Sequence, residues 1–540
     1  MSLSLSMSLS LNVSLSQCLA RDGRSPQSQT IEALRETFVA GTTRPYEWRM
    51  AQLKQLKAML HENLTMLGDA VRADLGKSTG EFVVSEIFPV ITDIAHTMDH
   101  LRGWMKGQPI QAPLLVATSR CRVVPEPRGV VLILGAWNYP VYLLIGPLVA
   151  ALAAGNVAVL KPSEVATQSC AALVTLLQRY MDPRAVRVLN GGPSLASALI
   201  AKPSLDLIFF TGSTRVGRLV AQAAAANLTP TILELGGKCP VIVDETANLR
   251  TAARRLAWAK TMNSGQTCIS PDHLFVHASV HDAFLAELRA TLAEGETTVL
   301  DATLPDAAPR AHTRLVHQHH HEGLARVLAE QLETNPASQI AIGGRHDAAL
   351  RAFELTVVTG VGADPAANPL MREEIFGPIL PIIPYTDLDA VTASIRACPP
   401  PLALYVFSTQ RGPVEKLRQA TTSGTFMVND ALVNMTAPAL PFGGIGASGQ
   451  GRYHGYAGFE ALSNMRSVFV ASAGQEWLNR FRPPAPSWAY SNESRGPPPY
   501  QRLRTSATPG LPWGSDGLVQ LGEAWIGSLE DRIAWGIPFS

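Results

Sequence analysis

Between Gly129 and Leu160 the chain carries no charged residue. A run of that length and polarity can cross a bilayer only as one unbroken helix. Here Gly135, Asn138, Pro140, Gly146, Pro147, Gly155 and Asn156 cut it into pieces too short for that. Val130 to Leu134 reads as a buried strand, Tyr142 to Ala153 as a buried helix and Val157 to Leu160 as a second strand. Strands that are apolar along their whole length, joined by a helix, belong to a parallel sheet covered on both faces.

The same alternation continues downstream. Leu205 to Phe210 is a short apolar strand, Thr211-Gly212-Ser213 turns it into a helix over Arg215 to Ala225, and Pro240 to Val243 and Leu274 to Val276 read as further strands. Helical spacing runs from Ile31 to about Leu75, through Leu53, Leu56, Leu60, Leu64 and Leu67, and again from Phe88 to about Met105. At 540 residues two or three domains are expected. Residues 1–29 begin with alternating Ser and Leu (Ser2 to Ser10) and lack a basic residue before Arg21, which reads as a disordered or weakly ordered leader rather than a secretory signal. Residues 293–350 are polar and alanine-rich and give no clear pattern. Their run His317-Gln318-His319-His320-His321 reads as a solvated helix face rather than a metal site. Residues 471–540 form a proline-rich tail whose last segment, Ser515 to Gly536, places Leu518, Leu521, Trp525, Leu529 and Ile533 on one helical face. That face can dock on the body, meet a partner or lie on a membrane, although acidic residues outnumbering Arg532 weigh against an anionic bilayer. A net charge of +1 offers no footprint for nucleic acid. Six cysteines without CxxC spacing suit reduced thiols in a reducing compartment.

One of those cysteines stands apart. Asn263-Ser264-Gly265-Gln266-Thr267-Cys268 is a polar, glycine-bearing loop, whereas an inert structural cysteine sits among aliphatic residues. Cys268 is therefore a candidate nucleophile, with an unreactive thiol as the alternative. In Leu233-Glu234-Leu235-Gly236-Gly237-Lys238 the carboxyl of Glu234 is either paired with Lys238 or raised by burial toward general-base work. Trp137 and Asn138 follow the strand ending at Leu134, where an Asn amide can donate to a developing oxyanion or merely shape a turn. Lys161 and Glu164 follow the next strand and can hold ribose hydroxyls. Gly212 and Ser213 open a helix whose N–H groups favour a phosphate, though this is not the GxGxxG fingerprint.

Taken together these segments resemble the aldehyde dehydrogenase superfamily. The series continues with Glu373-Glu374-Ile375-Phe376-Gly377-Pro378 and Pro441-Phe442-Gly443-Gly444-Ile445-Gly446. Asn138-Tyr139-Pro140, Pro401-Leu402-Ala403-Leu404-Tyr405 and Gly451-Arg452-Tyr453-His454-Gly455 point to its class 3 branch of fatty and aromatic aldehyde dehydrogenases. The resemblance covers residues 31 to 470. It implies an α/β fold: a Rossmann-type cofactor domain (30–105 and 127–233), an α/β catalytic domain (234–436) and a small β extension for oligomerisation (106–126 and 437–470). It also implies Cys268 as nucleophile, Glu234 as base and Asn138 as oxyanion donor. Trp137, Lys161, Glu164, Gly212, Ser213, Glu374 and Phe376 fall at cofactor positions, with Trp258 and Tyr139 as candidates for the substrate funnel and no metal. The expected cofactor is NAD, with NADP as an alternative. The expected substrate is a lipophilic, aromatic or isoprenoid-derived aldehyde, and the expected assembly a homodimer in the cytoplasm, with peripheral membrane association left open. Rival readings are transfer of the acyl group to coenzyme A and an inactive relative serving as a scaffold. The long tail and Leu355-Thr356, where the family pattern has a proline before the threonine, depart from the resemblance.

Overall fold

The computed structural model describes residues 25–113, 116, 118–294 and 313–471; the tail helix read at Ser515 to Gly536 lies outside them. The described residues divide into two units, one within 25–108 and 123–467 and the other within 109–122 and 468–471. The first unit contains two large sheets.

Five parallel strands build the first sheet: β1 (Val130–Leu134), β2 (Val157–Lys161), β3 (Val186–Val188), β4 (Leu207–Thr211) and β5 (Thr231–Glu234). The second sheet follows in the chain with β6 (Pro240–Val243), β7 (His273–His277), β8 (Gln339–Ile342), β9 (Thr356–Thr359), β10 (Ile379–Tyr385), β11 (Ala403–Phe407) and β12 (Thr425–Val428). The chain then returns to the first sheet with β13 (Gly449–Gln450), antiparallel to β5.

The first sheet runs β13-β5-β4-β1-β2-β3, so the strand order reverses on either side of β1. This is the doubly wound arrangement, in which a crevice opens beyond the carboxyl ends of the strands at the reversal. The charge-free run supplies its centre. Val130–Leu134 and Val157–Lys161 are buried along their whole length, and every residue of the intervening helix Tyr142–Ala154 is buried too. A helix that is apolar all round has to be enclosed, and this one packs against Tyr46–Glu62 and Phe88–Met105. Gly155, at φ 86°, ends it.

The second sheet, β8-β9-β10-β7-β6-β11-β12, is parallel except at β8. Small strands Gln108–Ile110, Arg120–Pro127 and Ser463–Val470 belong to a separate three-stranded sheet.

Two expectations need correction. The body starts earlier than the leader reading allows: Ser25 caps a helix beginning at Pro26, and Ile31 and Leu34 on it are fully buried. The histidine run is not a solvated face. His317 caps the helix Gln318–Thr334, and while His317 and His319 are exposed, His321 is 2% exposed, on the side of Leu324 and Leu328. Its ring lies 5.6 Å from that of Phe353. A helix entering at that angle turns two of the four imidazoles inward, whatever their polarity.

Candidate active site

The residues singled out in the sequence come from connections at the carboxyl ends of the first sheet and the amino ends of the second. Trp137 and Asn138 follow β1, Lys161 ends β2, Gly212 and Ser213 follow β4, and Glu234 ends β5. All sit at carboxyl ends of the first sheet. Cys268 precedes β7, and Glu374 and Phe376 precede β10, at amino ends of the second.

The Cys268 loop is held by backbone geometry that few residues adopt. Asn263 and Ser264 have φ of 54° and 52°, and Gly265 has φ 70°. A Cβ on Gly265 would lie 2.3 Å from the Gly377 carbonyl oxygen, so the loop and the segment before β10 can meet only through glycine. Asn263 Nδ2 donates to the carbonyls of Asn138 and Gln266, each at 2.9 Å. Asn138 Nδ2 in turn donates to the Gln266 carbonyl at 3.1 Å. One amide hydrogen of Asn138 is thus engaged, which fixes the plane of the group and leaves the second available. The Tyr139 hydroxyl meets Thr267 Oγ1 at 2.5 Å. Asn138 and Tyr139 are therefore tied to the two residues immediately before Cys268.

Cys268 is half-buried. Burial raises its thiol pKa, and the nearby carboxyls of Glu374 and Glu234 raise it further, while the backbone N–H groups of Cys268 and Ile269 pull it down. Glu234 is 3% exposed, and neither carboxyl oxygen has a hydrogen-bond partner among the described residues. Its alternative role, a turn salt bridge with Lys238, is not what the fold builds: Lys238 pairs with Asp272 and donates to the carbonyls of Leu370 and Glu373. Burial without a partner lifts the Glu234 carboxyl well above the usual range. Glu374, raised to about 8 by burial and by Asp272, packs against Gly236, where a Cβ would fall 1.9 Å from its Oε2. Two carboxyls are thus gathered near one sulfur.

Lys161 Nζ pairs with Glu164 Oε2 at 2.6 Å, with the lysine buried and the glutamate side chain 37% exposed. The Gly212 N–H donates to the Glu234 carbonyl at 3.0 Å, and Ser213 caps the helix Thr214–Ala225. The Phe376 ring lies 5.7 Å from Trp137, and its backbone, at φ 49°, is left-handed. His320 Nε2 contacts the Phe376 carbonyl at 2.9 Å. Of the two funnel candidates, Tyr139 is buried in the core and Trp258 is 40% exposed.

Sequence reading missed the supports of this loop. Glu81 accepts from the Asn263 N–H and from Thr313 Oγ1, each at 2.6 Å. Gln266 accepts from the Val316 N–H at 2.9 Å. Lys77 and Glu86 are fully buried beneath Asn138. Glu86 is marked only by charge placed among apolar helical positions, and Lys77, just past a helix-ending glycine, carries no such mark.

A profile of the aldehyde dehydrogenase family matches residues 19–468. Aldehyde dehydrogenase family 3 member B2 of Mus musculus is 40% identical over 467 residues, covering 86% of this chain and 94% of the relative. Family 3 member B1 of Homo sapiens is 40% identical over 462 residues, covering 86% and 95%. The dimeric NADP-preferring aldehyde dehydrogenase of Rattus norvegicus is 38% identical, covering 85% and 98%. A solved structure of the substrate-bound state of Staphylococcus aureus AldH superposes with a TM-score of 0.78 at 35% identity, covering 84% of this chain and 95% of that one. With a thiol, an unpartnered carboxyl and a doubly wound nucleotide-binding sheet converging as they do, the chain belongs to the aldehyde dehydrogenase family and is an NAD(P)-dependent enzyme that oxidises an aldehyde to a carboxylic acid.

Proposed function

We propose that Cys268 is the nucleophile, Glu234 the base that activates water, and Asn138 together with the Cys268 N–H the oxyanion donors. The observation that carries this reading is the Cys268 sulfur lying within electrostatic reach of an unpartnered Glu234, on a loop bonded to Asn138. The sulfur adds to the aldehyde carbon, and its proton passes to solvent water as the C–S bond forms. The carbonyl oxygen then takes negative charge, which the free Asn138 N–H and the backbone N–H receive. When bound, the oxidised nicotinamide supplies the hydride acceptor that turns the adduct into a thioester. Glu234, as carboxylate, takes a proton from water, and the hydroxide formed cleaves that thioester to acid and free thiol.

The residues present fit the cofactor. Thr211 Oγ1, beside the turn, is buried without a partner among the described residues. Ser213 opens a helix whose first N–H groups suit a phosphate. Lys161 and Glu164 would hold the adenosine ribose, and Glu374, Phe376 and Trp137 the nicotinamide end. The same reading assigns residues 30–105 and 127–233 to cofactor binding, 234–436 to catalysis, and 106–126 with 437–470 to pairing of two copies, as the rat relative's name, dimeric, supports. A lipophilic aldehyde is the substrate that the class 3 resemblance implies for this chain. Free thiols at Cys121, Cys170, Cys239, Cys268 and Cys398 suit the cytoplasm. No helix among the described residues is long and apolar enough to cross a membrane, and peripheral attachment through the tail belongs to the proposal.

A panel of aliphatic and aromatic aldehydes of rising chain length, assayed with NAD and NADP, tests the whole. The expected result is carboxylate formed without added thiol acceptor, with kcat/KM rising with chain length. Product formed only when coenzyme A is supplied would contradict the role given to Glu234.

A further inference from the structure

The connection that carries Asn138 is gripped from below by two charged residues that the chemistry just described does not use. Lys77 follows the helix Leu64–Leu75, which ends at Gly76 in the left-handed region. Its side chain is wholly buried, with Nζ 2.8 Å from Glu86 Oε1, 2.8 Å from the Asn138 carbonyl oxygen and 3.9 Å from the centre of the Tyr139 ring. Glu86 lies in a π-helical turn, Val83–Ile87, a local widening that recurs at functional sites. Its other oxygen, Oε2, accepts from the Val141 N–H at 2.8 Å and the Tyr142 N–H at 3.3 Å. One ion pair therefore bridges both ends of a five-residue stretch, Asn138 to Tyr142: the lysine holds the carbonyl of residue 138, and the glutamate holds the N–H groups of Val141 and Tyr142, where the next helix begins.

Burying two charges costs several kcal/mol each, and a hydrophobic pair of the same volume is often as stable or more so. Stability alone therefore gives little reason for this pair. Each of its partners instead belongs to the oxyanion connection or to the helix that follows it. We infer that Lys77 and Glu86 are positioning residues, which fix the backbone at Asn138 so that its free amide hydrogen faces the oxygen of the Cys268 adduct. This rests on the reading of Asn138 as oxyanion donor. Neither residue touches the substrate; both act through the Asn138 loop.

A double-mutant cycle on the full chain tests it, read by the pre-steady-state rate of reduced cofactor formation, by cofactor Kd and by Tm. Lys77→Met is expected to slow the hydride step about 10- to 100-fold, less than the outright removal of an oxyanion donor, because the donor is misplaced and not lost, while cofactor Kd stays within about 2-fold. In an Asn138→Ala background the same substitution is expected to cost less than about 2-fold, because the group it positions is gone. Glu86→Gln and the paired Lys77→Met/Glu86→Leu, which leaves no unpaired buried charge, provide folded variants if Lys77→Met is unstable, and the same rate losses are expected of both. Unaltered rates in these variants, or losses that multiply in full with Asn138→Ala, would overturn the inference. A rate unchanged by Asn138→Ala alone would instead remove the oxyanion reading beneath it.

Discussion

Cys268 and Glu234 both face burial that favours their protonated forms, and the Glu234 carboxyl raises the thiol further, since a carboxylate near the sulfur discourages a thiolate. Glu374, at about 8, adds a third group of the same kind. The sign follows directly. The nucleophile and the base work deprotonated, and their pKa values are raised, so the working forms gain population as pH rises. We therefore expect kcat/KM to climb from about pH 6 to about pH 9 instead of levelling off above the ordinary carboxylate range near about 4. A stopped-time pH series checks this, and a plateau reached by about pH 5.5 would contradict it. Glu234→Gln is expected to keep a first turnover while lowering steady-state kcat by at least about 100-fold, because only the hydrolytic half needs the base.

Elements act here chiefly by holding loops. The Cys268 loop meets the segment before β10 at Gly265, where φ is 70° and the Gly377 carbonyl leaves no room for a side chain. Gly265→Ala is expected to lower stability by more than about 2 kcal/mol in chemical denaturation and to reduce activity with it. A second fixture is Asp93 on the helix Phe88–Met105, which accepts from the Gly455 N–H at 3.1 Å and whose pKa burial raises to about 7. The folded chain keeps this proton to about pH 7, whereas the unfolded chain releases it near the ordinary aspartate value of 3.8. The stability the group contributes is therefore complete below the unfolded value, is lost as pH rises toward 7, and stays lost above it. Asp93→Asn, which retains the acceptor oxygen, is expected to be more stable than the parent by about 2 kcal/mol at pH 8 and to lose that advantage near pH 4.

At the scale of the whole chain, legibility in the sequence followed solvent. Val130–Leu134, Val157–Lys161 and Tyr142–Ala154 were readable because burial on every side leaves an unbroken apolar run, and Phe88–Met105 because one apolar face repeats at helical spacing. The site residues were readable because glycine-rich turns at strand ends stand out against those runs. Lys77, Glu86 and Glu81 were not, since a charged residue on a helix or just past its end looks solvated until a second element, distant in sequence, covers it. His320 and His321 were misread for the same reason: nothing in a local pattern announces Phe353 or Phe376 on the other side.

All of these scales meet in one requirement, that the sulfur of residue 268 and the carboxyl of residue 234 serve the same carbon. Mass spectrometry of Glu234→Gln, quenched after mixing with NAD and a long-chain aldehyde, measures this directly. The account predicts a first burst of reduced cofactor matching the enzyme concentration and an acyl group accumulated on the peptide containing Cys268. A variant that turns over like the parent with no acyl adduct, or an adduct on another cysteine, would contradict it.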